Sequence, residues 1–329
     1  MTENRKPNPA TASPSASAQA RPYLRGVLSP VVTPFKADLA ADPARFAAHC
    51  RWLLANGCDG LAIFGTNSEA NSLTVQEKID LLDALLEAGI DPSRLMPGTG
   101  ACAIGDAVAL TSHAVKRGCA GVLMLPPFYY KGVPDEGLAR YFTEVIERVG
   151  DASLRIYLYH IPPVAQVGIS LDLIARLRRD WPETVVGIKD SSGDWNNTRA
   201  MLERFGGDGF QVFAGSDDFL LANLRHGGAG CITATGNVNP GAIANLYRTW
   251  EQEGADERQR ALSHTRSLFQ KFPMIPALKA AIASFGDDPQ WAIVRPPLQA
   301  LDAAQAKALR QSLDADGFAM PGIGGRGAA

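Results

Sequence analysis

The feature that most constrains this fold is a regular alternation of short apolar runs with longer amphipathic stretches, which begins at residue 26. The stretches between the runs place apolar residues three and four positions apart, as one face of a helix does. Strands that alternate with helices predict parallel pairing, and strands that are apolar throughout predict a sheet covered on both faces. The eight predicted strands span residues 27–32, 61–64, 95–99, 122–125, 155–159, 185–189, 210–214 and 230–234.

Two architectures cover a parallel sheet on both faces, a closed (β/α)8 barrel and an open doubly wound sheet. Eight β/α units in about 210 residues favour the barrel. A doubly wound sheet would be favoured by a GxGxxG motif after the first strand, but that strand runs into SPVVTPF. The glycine-rich GTGACAIGD follows the third strand and lacks the third spaced glycine, so it does not predict a dinucleotide site. We therefore predict an α/β fold, the (β/α)8 TIM barrel.

The two ends of the chain differ from the alternating region. Several further helical patterns follow the eighth strand, which predicts a C-terminal helical extension of the barrel. Residues 1–24 are rich in Pro, Ala and Ser and lack a long apolar segment, which is typical of a disordered tail and not of a signal peptide. We expect residues 25–318 to form the barrel with its C-terminal helices, and residues 319–329 to form a flexible tail.

Charge and composition argue against several classes of function. The net charge of -2 and the lack of a Lys/Arg cluster disfavour nucleic acid as a partner. The apolar runs are too short to cross a bilayer. Five cysteines, an odd number without CxxC spacing, are typical of buried free thiols in a reducing compartment. These features predict a cytoplasmic enzyme that has no membrane partner.

The motifs of several enzyme classes do not occur in the sequence. The five histidines show no metal-ligand spacing, which disfavours a metal-dependent aldolase. Neither a GxSxG elbow nor a P-loop occurs, which disfavours the commonest hydrolases and phosphotransfer enzymes. We expect that the reaction needs neither a metal nor an organic cofactor.

Lys189 is the most informative candidate for chemistry, because it ends the apolar VVGI run of the sixth predicted strand. In a TIM barrel, the carboxyl ends of the strands carry the active site. Burial disfavours the charged form of an amine, and a neutral amine attacks a ketone to form an imine. The alternative is a lysine at a strand end with its ammonium group in water, and the strand pattern alone leaves both possibilities open.

Three other positions could assist such an amine. Tyr159 ends the fifth predicted strand, from where its phenol could transfer protons near Lys189. Thr66 follows the second strand in the turn GTNS, which also offers backbone N–H groups to a carboxylate. Tyr129 and Tyr130 follow the fourth strand and suggest either an interface or a lid. Taken singly, a tyrosine in the position of Tyr159 is more typical of packing, and a threonine in the position of Thr66 is more typical of a helix cap or a turn.

These segments together resemble those of a known family, over about residues 25–317. The segments are GVLSPVVTPF, GTNSE, GTGACAIGDA, PPFYY, YHIPP, GIKDSSGD, AGSDD and FPMIPALKAA. In this order, at strand ends, they are similar to those of the dihydrodipicolinate synthase/N-acetylneuraminate lyase family of pyruvate-dependent class I aldolases. The resemblance implies a TIM barrel with a C-terminal helical extension, usually assembled as a homotetramer.

The resemblance also implies roles for individual residues. Lys189 would be the Schiff-base lysine, and Tyr159 would be the tyrosine that moves protons beside it. Thr66 would be the middle hydroxyl of a proton relay. Tyr129 would be the tyrosine that reaches across a subunit interface, although Tyr130 is close enough to be confused with it.

For the substrate, the resemblance implies a further set of contacts. The turn that contains Asn67 would hold the pyruvate carboxylate, and Gly215 and Ile232 would line the pocket. Ser191 and Asp217 match positions that contact sugar-acid hydroxyls in the lyase branch of the family.

Three departures from the family pattern bear on the substrate. Asn67 and Ser68 replace the last hydroxyl and the glycine of the usual turn. Val164 stands where synthases of the lysine precursor carry an arginine, which weakens the case for that activity. Ala234 falls where the sugar-acid branch often has a serine.

We therefore predict a Schiff-base lyase that joins pyruvate and an aldehyde, or cleaves a 4-hydroxy-2-oxo acid. Three alternatives stay open. They are a dehydratase of 2-oxo-3-deoxy sugar acids that uses the same imine, a 4-hydroxy-tetrahydrodipicolinate synthase, and a catalytically silent barrel that binds a metabolite.

Overall fold

Seven parallel strands form one sheet in the computed structural model of the chain, which describes residues 23–324. Their order across the sheet is β2-β1-β7-β6-β5-β4-β3. The strands are β1 (Gly26–Ser29), β2 (Gly60–Leu61), β3 (Val122–Met124), β4 (Ile156–His160), β5 (Val185–Asp190), β6 (Gln211–Ala214) and β7 (Gly230–Ile232).

Residues 95–99 close this sheet into a barrel between β2 and β3. On one side, the Met96 amide donates to Leu61 O at 2.9 Å. On the other side, the Leu123 amide donates to Pro97 O at 2.9 Å. Pro97 has no N–H to continue a regular ladder, which explains why this segment pairs only through isolated bridges. The predicted eight-stranded barrel is therefore confirmed, with residues 95–99 as its third strand, and the doubly wound alternative is wrong because its sheet would be open.

The helices lie between the strands and continue after β7. Thr74 and Glu77 form the capping box that starts the second helix, α2 (Val75–Glu87), where the Glu77 amide donates to Thr74 Oγ1 at 3.1 Å. Helices α10, α11 and α12 form the C-terminal extension. The helices are α1 (Pro43–Ala55), α2 (Val75–Glu87), α3 (Ile104–Lys116), α4 (Asp135–Val149), α5 (Pro162–Ala165), α6 (Leu171–Asp180), α7 (Trp195–Phe205), α8 (Leu220–Arg225), α9 (Pro240–Thr249), α10 (Ala255–Gln270), α11 (Met274–Phe285) and α12 (Ala303–Ala315).

The interior of the barrel is filled by side chains. Tyr157 and Phe213 meet there with their ring centroids 5.9 Å apart, and both are completely buried. Leu28, Met96 and Ile232 pack in the same cluster. Because this core leaves no pore, a ligand can reach the strands only at an end of the barrel.

The predicted tails lie largely outside the described residues. Of the N-terminal segment 1–24, the structure describes only Tyr23 and Leu24. At the other end, Met320 is buried and the Trp52 indole donates to Pro321 O at 2.9 Å. The chain therefore packs against α1 beyond the predicted boundary at residue 318, and residues 325–329 are not described.

Two expectations from composition concern residues that the structure describes. Within residues 23–324, no helix combines the length and the apolar character that crossing a bilayer requires. None of the five cysteines forms a disulfide. Cys50, Cys58 and Cys231 are buried as expected, whereas Cys102 is exposed near the start of α3.

Candidate active site

Lys189 lies near the carboxyl end of β5 and only 4% of it is exposed. Strand pairing places Tyr159 of β4 directly beside it. The Lys189 Nζ atom lies 4.2 Å from the centre of the Tyr159 ring. Among the described residues, no carboxylate lies within ion-pair distance of this nitrogen, so the amine is not tied to a counter-ion. Its position in the barrel mouth makes it accessible to a ligand that enters there.

The Tyr159 phenol connects Lys189 to the turn that follows β2. The Tyr159 hydroxyl and Thr66 Oγ1 are 3.2 Å apart, and either oxygen can donate the hydrogen bond. An amine, a phenol and an alcohol thus lie in series, although they belong to separate strands and turns. Hydroxyl groups in such a chain can pass a proton from one to the next.

Ser68 fixes the turn that carries Thr66. Its hydroxyl donates to Val31 O at 2.5 Å and accepts a hydrogen bond from the Gly65 amide at 3.2 Å. Thr33 Oγ1 in turn donates to Ser68 O at 2.8 Å. Ser68 is completely buried, so this residue, which replaces a glycine of the usual family turn, positions the turn and does not face the ligand.

A buried ion pair attaches the same turn to α11. Glu69 has φ of 56° and ends the turn, and its Oε1 atom accepts a hydrogen bond from Lys279 Nζ at 2.7 Å. Both side chains are completely buried. Burial lowers the pKa of Lys279 to about 8, although the Glu69 carboxylate opposes this shift. The second oxygen of Glu69 accepts from the Arg295 amide at 2.9 Å.

We expect Lys279→Met to lower the free energy of unfolding by about 3–5 kcal/mol, because Glu69 would keep a buried charge without its partner. Urea denaturation would measure the change. The double variant Glu69→Gln/Lys279→Met should recover much of the loss, because Gln still accepts from the Arg295 amide. Arg199→Met, which breaks an exposed ion pair with Glu203, should have little effect. A Lys279→Met variant as stable as the unmodified protein would contradict the expectation.

A cavity of about 410 Å³ opens at the carboxyl end of the strands, next to a lobe of about 580 Å³. Thr66 and Tyr159 line both volumes, as do Ile161, Val164 and Leu298. Six residues predicted for the site line the smaller cavity. They are Thr66, Asn67, Tyr159, Lys189, Ser191 and Gly215. Sequence positions that are far apart in the chain therefore meet at one end of the barrel.

Three other residues predicted for the site, Asp217, Ile232 and Tyr129, do not line the cavity or its adjoining lobe. Asp217 is buried, and its Oδ1 atom accepts hydrogen bonds from Thr233, Thr235 and Arg266 at 2.6–2.9 Å. Ile232 lies in the filled interior of the barrel.

Tyr129 also does not line the cavity within one chain. Its side chain is 73% exposed and packs edge-on against Tyr130, with 5.3 Å between the ring centroids. Neither tyrosine lines the smaller cavity or the adjoining lobe of the described chain.

Sequence reasoning missed several residues that line the cavity. Met274, Ile275 and Pro276 come from the first turn of α11, within the FPMIP segment. Arg266 of α10 also lines it, and its guanidinium group is tied to Asp217 at 2.9 Å and to Asp218 at 3.1 Å. The helical pattern indicated that α10 exists, but no local signal shows which barrel end it covers.

The chain is similar in sequence to the members of one known protein family. The sequence model of the dihydrodipicolinate synthetase family matches residues 23–316. A DapA-like lyase of Chloroflexus aurantiacus is 32% identical over 292 residues, covering 88% of this chain and 96% of that protein.

Two crystal structures show the same fold. Dihydrodipicolinate synthase from Agrobacterium tumefaciens matches with a TM-score of 0.82 and 31% identity, covering 88% of this chain and 98% of that one. YagE, a prophage protein from E. coli K12 in complex with pyruvate, matches with a TM-score of 0.83 and 27% identity. That match covers 89% of this chain and 99% of YagE.

Proposed function

The chain belongs to the dihydrodipicolinate synthetase family of pyruvate-dependent lyases, and we propose that Lys189 forms an imine with its 2-oxo acid substrate. The observation that carries the proposal is the series of Lys189, Tyr159 and Thr66 at the end of the barrel. All three residues line one cavity. The reaction is then cleavage of a 4-hydroxy-2-oxo acid to pyruvate and an aldehyde, or the reverse addition.

Cleavage begins when the Lys189 amine attacks C2 of the oxo acid. Tyr159 donates its phenol proton as water leaves, which gives a protonated imine and a Tyr159 phenolate. The Tyr159 oxygen accepts the proton of the C4 hydroxyl. The C3–C4 bond then breaks, its electron pair moves to the imine nitrogen as an enamine, and the aldehyde leaves. Tyr159 then donates this proton to C3. Water hydrolyses the resulting protonated imine to pyruvate and the free amine, and the proton that is released restores the Tyr159 phenol. Thr66 passes protons between Tyr159 and water.

Tyr129 completes the relay if it comes from a neighbouring subunit. A side chain that is 73% exposed and stacked on a second aromatic ring is well suited to an interface. On this basis we propose that the chain forms a homo-oligomer, either a dimer or a tetramer. A cytoplasmic location is also part of the proposal and rests on the sequence alone.

The lining of the cavity favours an aldehyde without a carboxylate. Val164 lies at the rim and is 62% exposed. Within the described chain, the cations that line the two volumes are Lys189 and Arg266. Arg266 is already paired with Asp217 and Asp218, so no unpaired guanidinium can hold a carboxylate on the aldehyde. This argues against 4-hydroxy-tetrahydrodipicolinate synthase activity.

Pyruvate release tests the proposal. We expect 4-hydroxy-2-oxoheptanoate to yield pyruvate and butanal, with pyruvate measured by lactate dehydrogenase and NADH. In the reverse direction, butanal should react with pyruvate better than 4-oxobutanoate, which has a carboxylate on the same chain length. Consumption of 2-oxo-3-deoxy sugar acids without pyruvate release would favour the dehydratase instead, since a dehydratase keeps the carbon chain whole.

The variant Val164→Arg examines the aldehyde preference directly. It should raise kcat/KM for 4-oxobutanoate about 10-fold to 100-fold, the value of a charge-assisted hydrogen bond, and leave butanal little changed. Val164→Gln supplies a similar length without the charge and should give no such gain. An unmodified enzyme that already prefers 4-oxobutanoate would contradict the neutral-aldehyde class.

A further inference from the structure

The turn that carries Thr66 is held at two points. At the first, the buried Ser68 hydroxyl donates to a backbone carbonyl that follows β1. At the second, the Glu69 carboxylate accepts from Lys279 Nζ at 2.7 Å and from the Arg295 amide at 2.9 Å. The Glu69 amide in turn donates to Thr66 O at 3.1 Å. A movement of Glu69 is therefore transmitted directly to Thr66.

Glu69 has a backbone conformation that depends on its surroundings. Its φ of 56° lies in the left-handed region, which residues other than Gly, Asn and Asp occupy rarely. Such a residue keeps this conformation where surrounding contacts enforce it. The Glu69 side chain is completely buried and both of its oxygens are bonded. The ion pair with Lys279 thus helps to hold the turn in the shape that brings Thr66 to Tyr159.

The two partners of Glu69 belong to other walls of the cavity. Lys279 lies on α11, one helical turn after Ile275, which lines both the cavity and its adjoining lobe. Arg295 lies three residues before Leu298, which lines both volumes as well. The Glu69 carboxylate therefore joins the turn to both walls at one buried point.

Lys279 has no direct access to a substrate. Its side chain is completely buried and lines neither the cavity nor the lobe of the described chain. Its Nζ atom lies 4.4 Å from the centre of the Phe35 ring. The Arg295 guanidinium group donates to Ser72 O at 2.6 Å and to the Glu77 carboxylate at 3.1 Å. An effect of Lys279 on the reaction must therefore act through the turn.

We propose that Lys279 is a positioning residue of the lyase reaction, which acts by holding the turn that carries Thr66. The inference rests on the proposed function, in which Thr66 passes protons between Tyr159 and water. Loss of the ion pair releases Glu69, while Ser68 keeps its own anchor, so the turn can rotate. The hydroxyls of Thr66 and Tyr159, now 3.2 Å apart, then separate. A displacement of about 1 Å can slow a reaction about 10²-fold.

The test uses Glu69→Gln/Lys279→Met, which removes both charges together and keeps the hydrogen bond from the Arg295 amide. We expect kcat for pyruvate release from 4-hydroxy-2-oxoheptanoate to fall about 10-fold. The borohydride adduct on Lys189 at saturating pyruvate should be unchanged, because β5 is not altered. In the Thr66→Val background, the same two changes should lower kcat less than about 2-fold, since the relay hydroxyl is already absent. A purely structural role of the ion pair would give the same loss in both backgrounds.

A matched control removes an exposed pair in the same way. Arg199→Met/Glu203→Gln changes a pair on α7 whose charged atoms are 3.5 Å apart, and it should leave kcat unchanged. If Glu69→Gln/Lys279→Met does not fold, Glu69→Gln alone replaces the ion pair with a neutral hydrogen bond. This single variant should lower kcat about 3-fold, and this effect should also disappear in the Thr66→Val background.

The outcomes separate the inference from the function on which it rests. Unchanged kcat in the folded double variant, or an equal loss in the Thr66→Val background, would overturn the role of Lys279 and leave the proposed function standing. Unchanged kcat in Thr66→Val itself would also overturn it. An unmodified enzyme that forms no Lys189 adduct and releases no pyruvate would refute the proposed function, and the inference with it.

Discussion

Replacing Lys189 with Ala is expected to abolish turnover, with a loss on the order of 10⁴-fold or more in kcat/KM, because the imine can form at no other amine in the cavity. Arg266, the other cation that lines the cavity in the described chain, is a guanidinium group held by two carboxylates. Reduction with borohydride in the presence of pyruvate should attach one pyruvate-derived group to the peptide that contains Lys189. Mass spectrometry of the digested protein would measure this adduct.

Two variants separate loss of chemistry from loss of structure. Lys189→Met keeps the aliphatic stem and should be as inactive as Lys189→Ala, with a folded protein. Lys116→Ala removes an exposed amine from α3 and should keep both full activity and the adduct. Normal turnover in Lys189→Met, or an adduct on another lysine, would refute the assignment of Lys189. Folded, unmodified protein that gives no adduct would favour a barrel that only binds a metabolite.

Tyr159→Phe is expected to lower kcat about 10²-fold to 10⁴-fold, the usual value of a positioned acid–base group. The ring remains beside Lys189, so borohydride trapping of pyruvate should still succeed. The expected result is therefore a protein that forms the imine but breaks the C3–C4 bond slowly. Steady-state kinetics together with the trapping yield would show this split.

Tyr157→Phe provides a matched control for the loss of a phenol hydroxyl. Tyr157 lies two residues earlier on β4, inside the filled barrel, where its buried hydroxyl lies near the backbone of Leu24. Removing that oxygen should leave kcat unchanged. Thr66→Val should reduce kcat less than Tyr159→Phe, because water can replace a relay hydroxyl more easily than the group that contacts the substrate. Equal activity of Tyr159→Phe and the unmodified enzyme would remove Tyr159 from the mechanism.

The prediction of the barrel was based on local patterns in the sequence. A buried strand has a short apolar run and a helix repeats every 3.6 residues, so both can be recognised from neighbouring positions. All eight strand positions correspond to β-strands or to the bridged segment 95–99. The observed strand bounds differ from the predicted bounds where a residue cannot make the backbone hydrogen bonds of a regular strand. Pro97, for example, cannot donate to a ladder, and the third strand is consequently irregular.

The position of Lys189 and Tyr159 followed from the same local reasoning. Each ends a strand, and parallel strands of a barrel present their carboxyl ends at one face. Neighbouring strands then had to bring the two side chains together, as the pairing of β4 with β5 does. Strand ends therefore predicted the centre of the candidate site without any knowledge of loop conformation.

Only the tertiary structure decided which distant residues surround that centre. Glu69 and Lys279 are 210 positions apart in the sequence, and Arg266 reaches the cavity from a helix beyond the barrel. The tertiary structure also places the Asp217 carboxylate in a buried hydrogen-bond network and not on the cavity surface. The sequence by itself determined the barrel and its central amine because periodicity and strand ends are local properties. The contacts of side chains between remote segments depend on how helices and loops pack, and short-range patterns do not encode that packing.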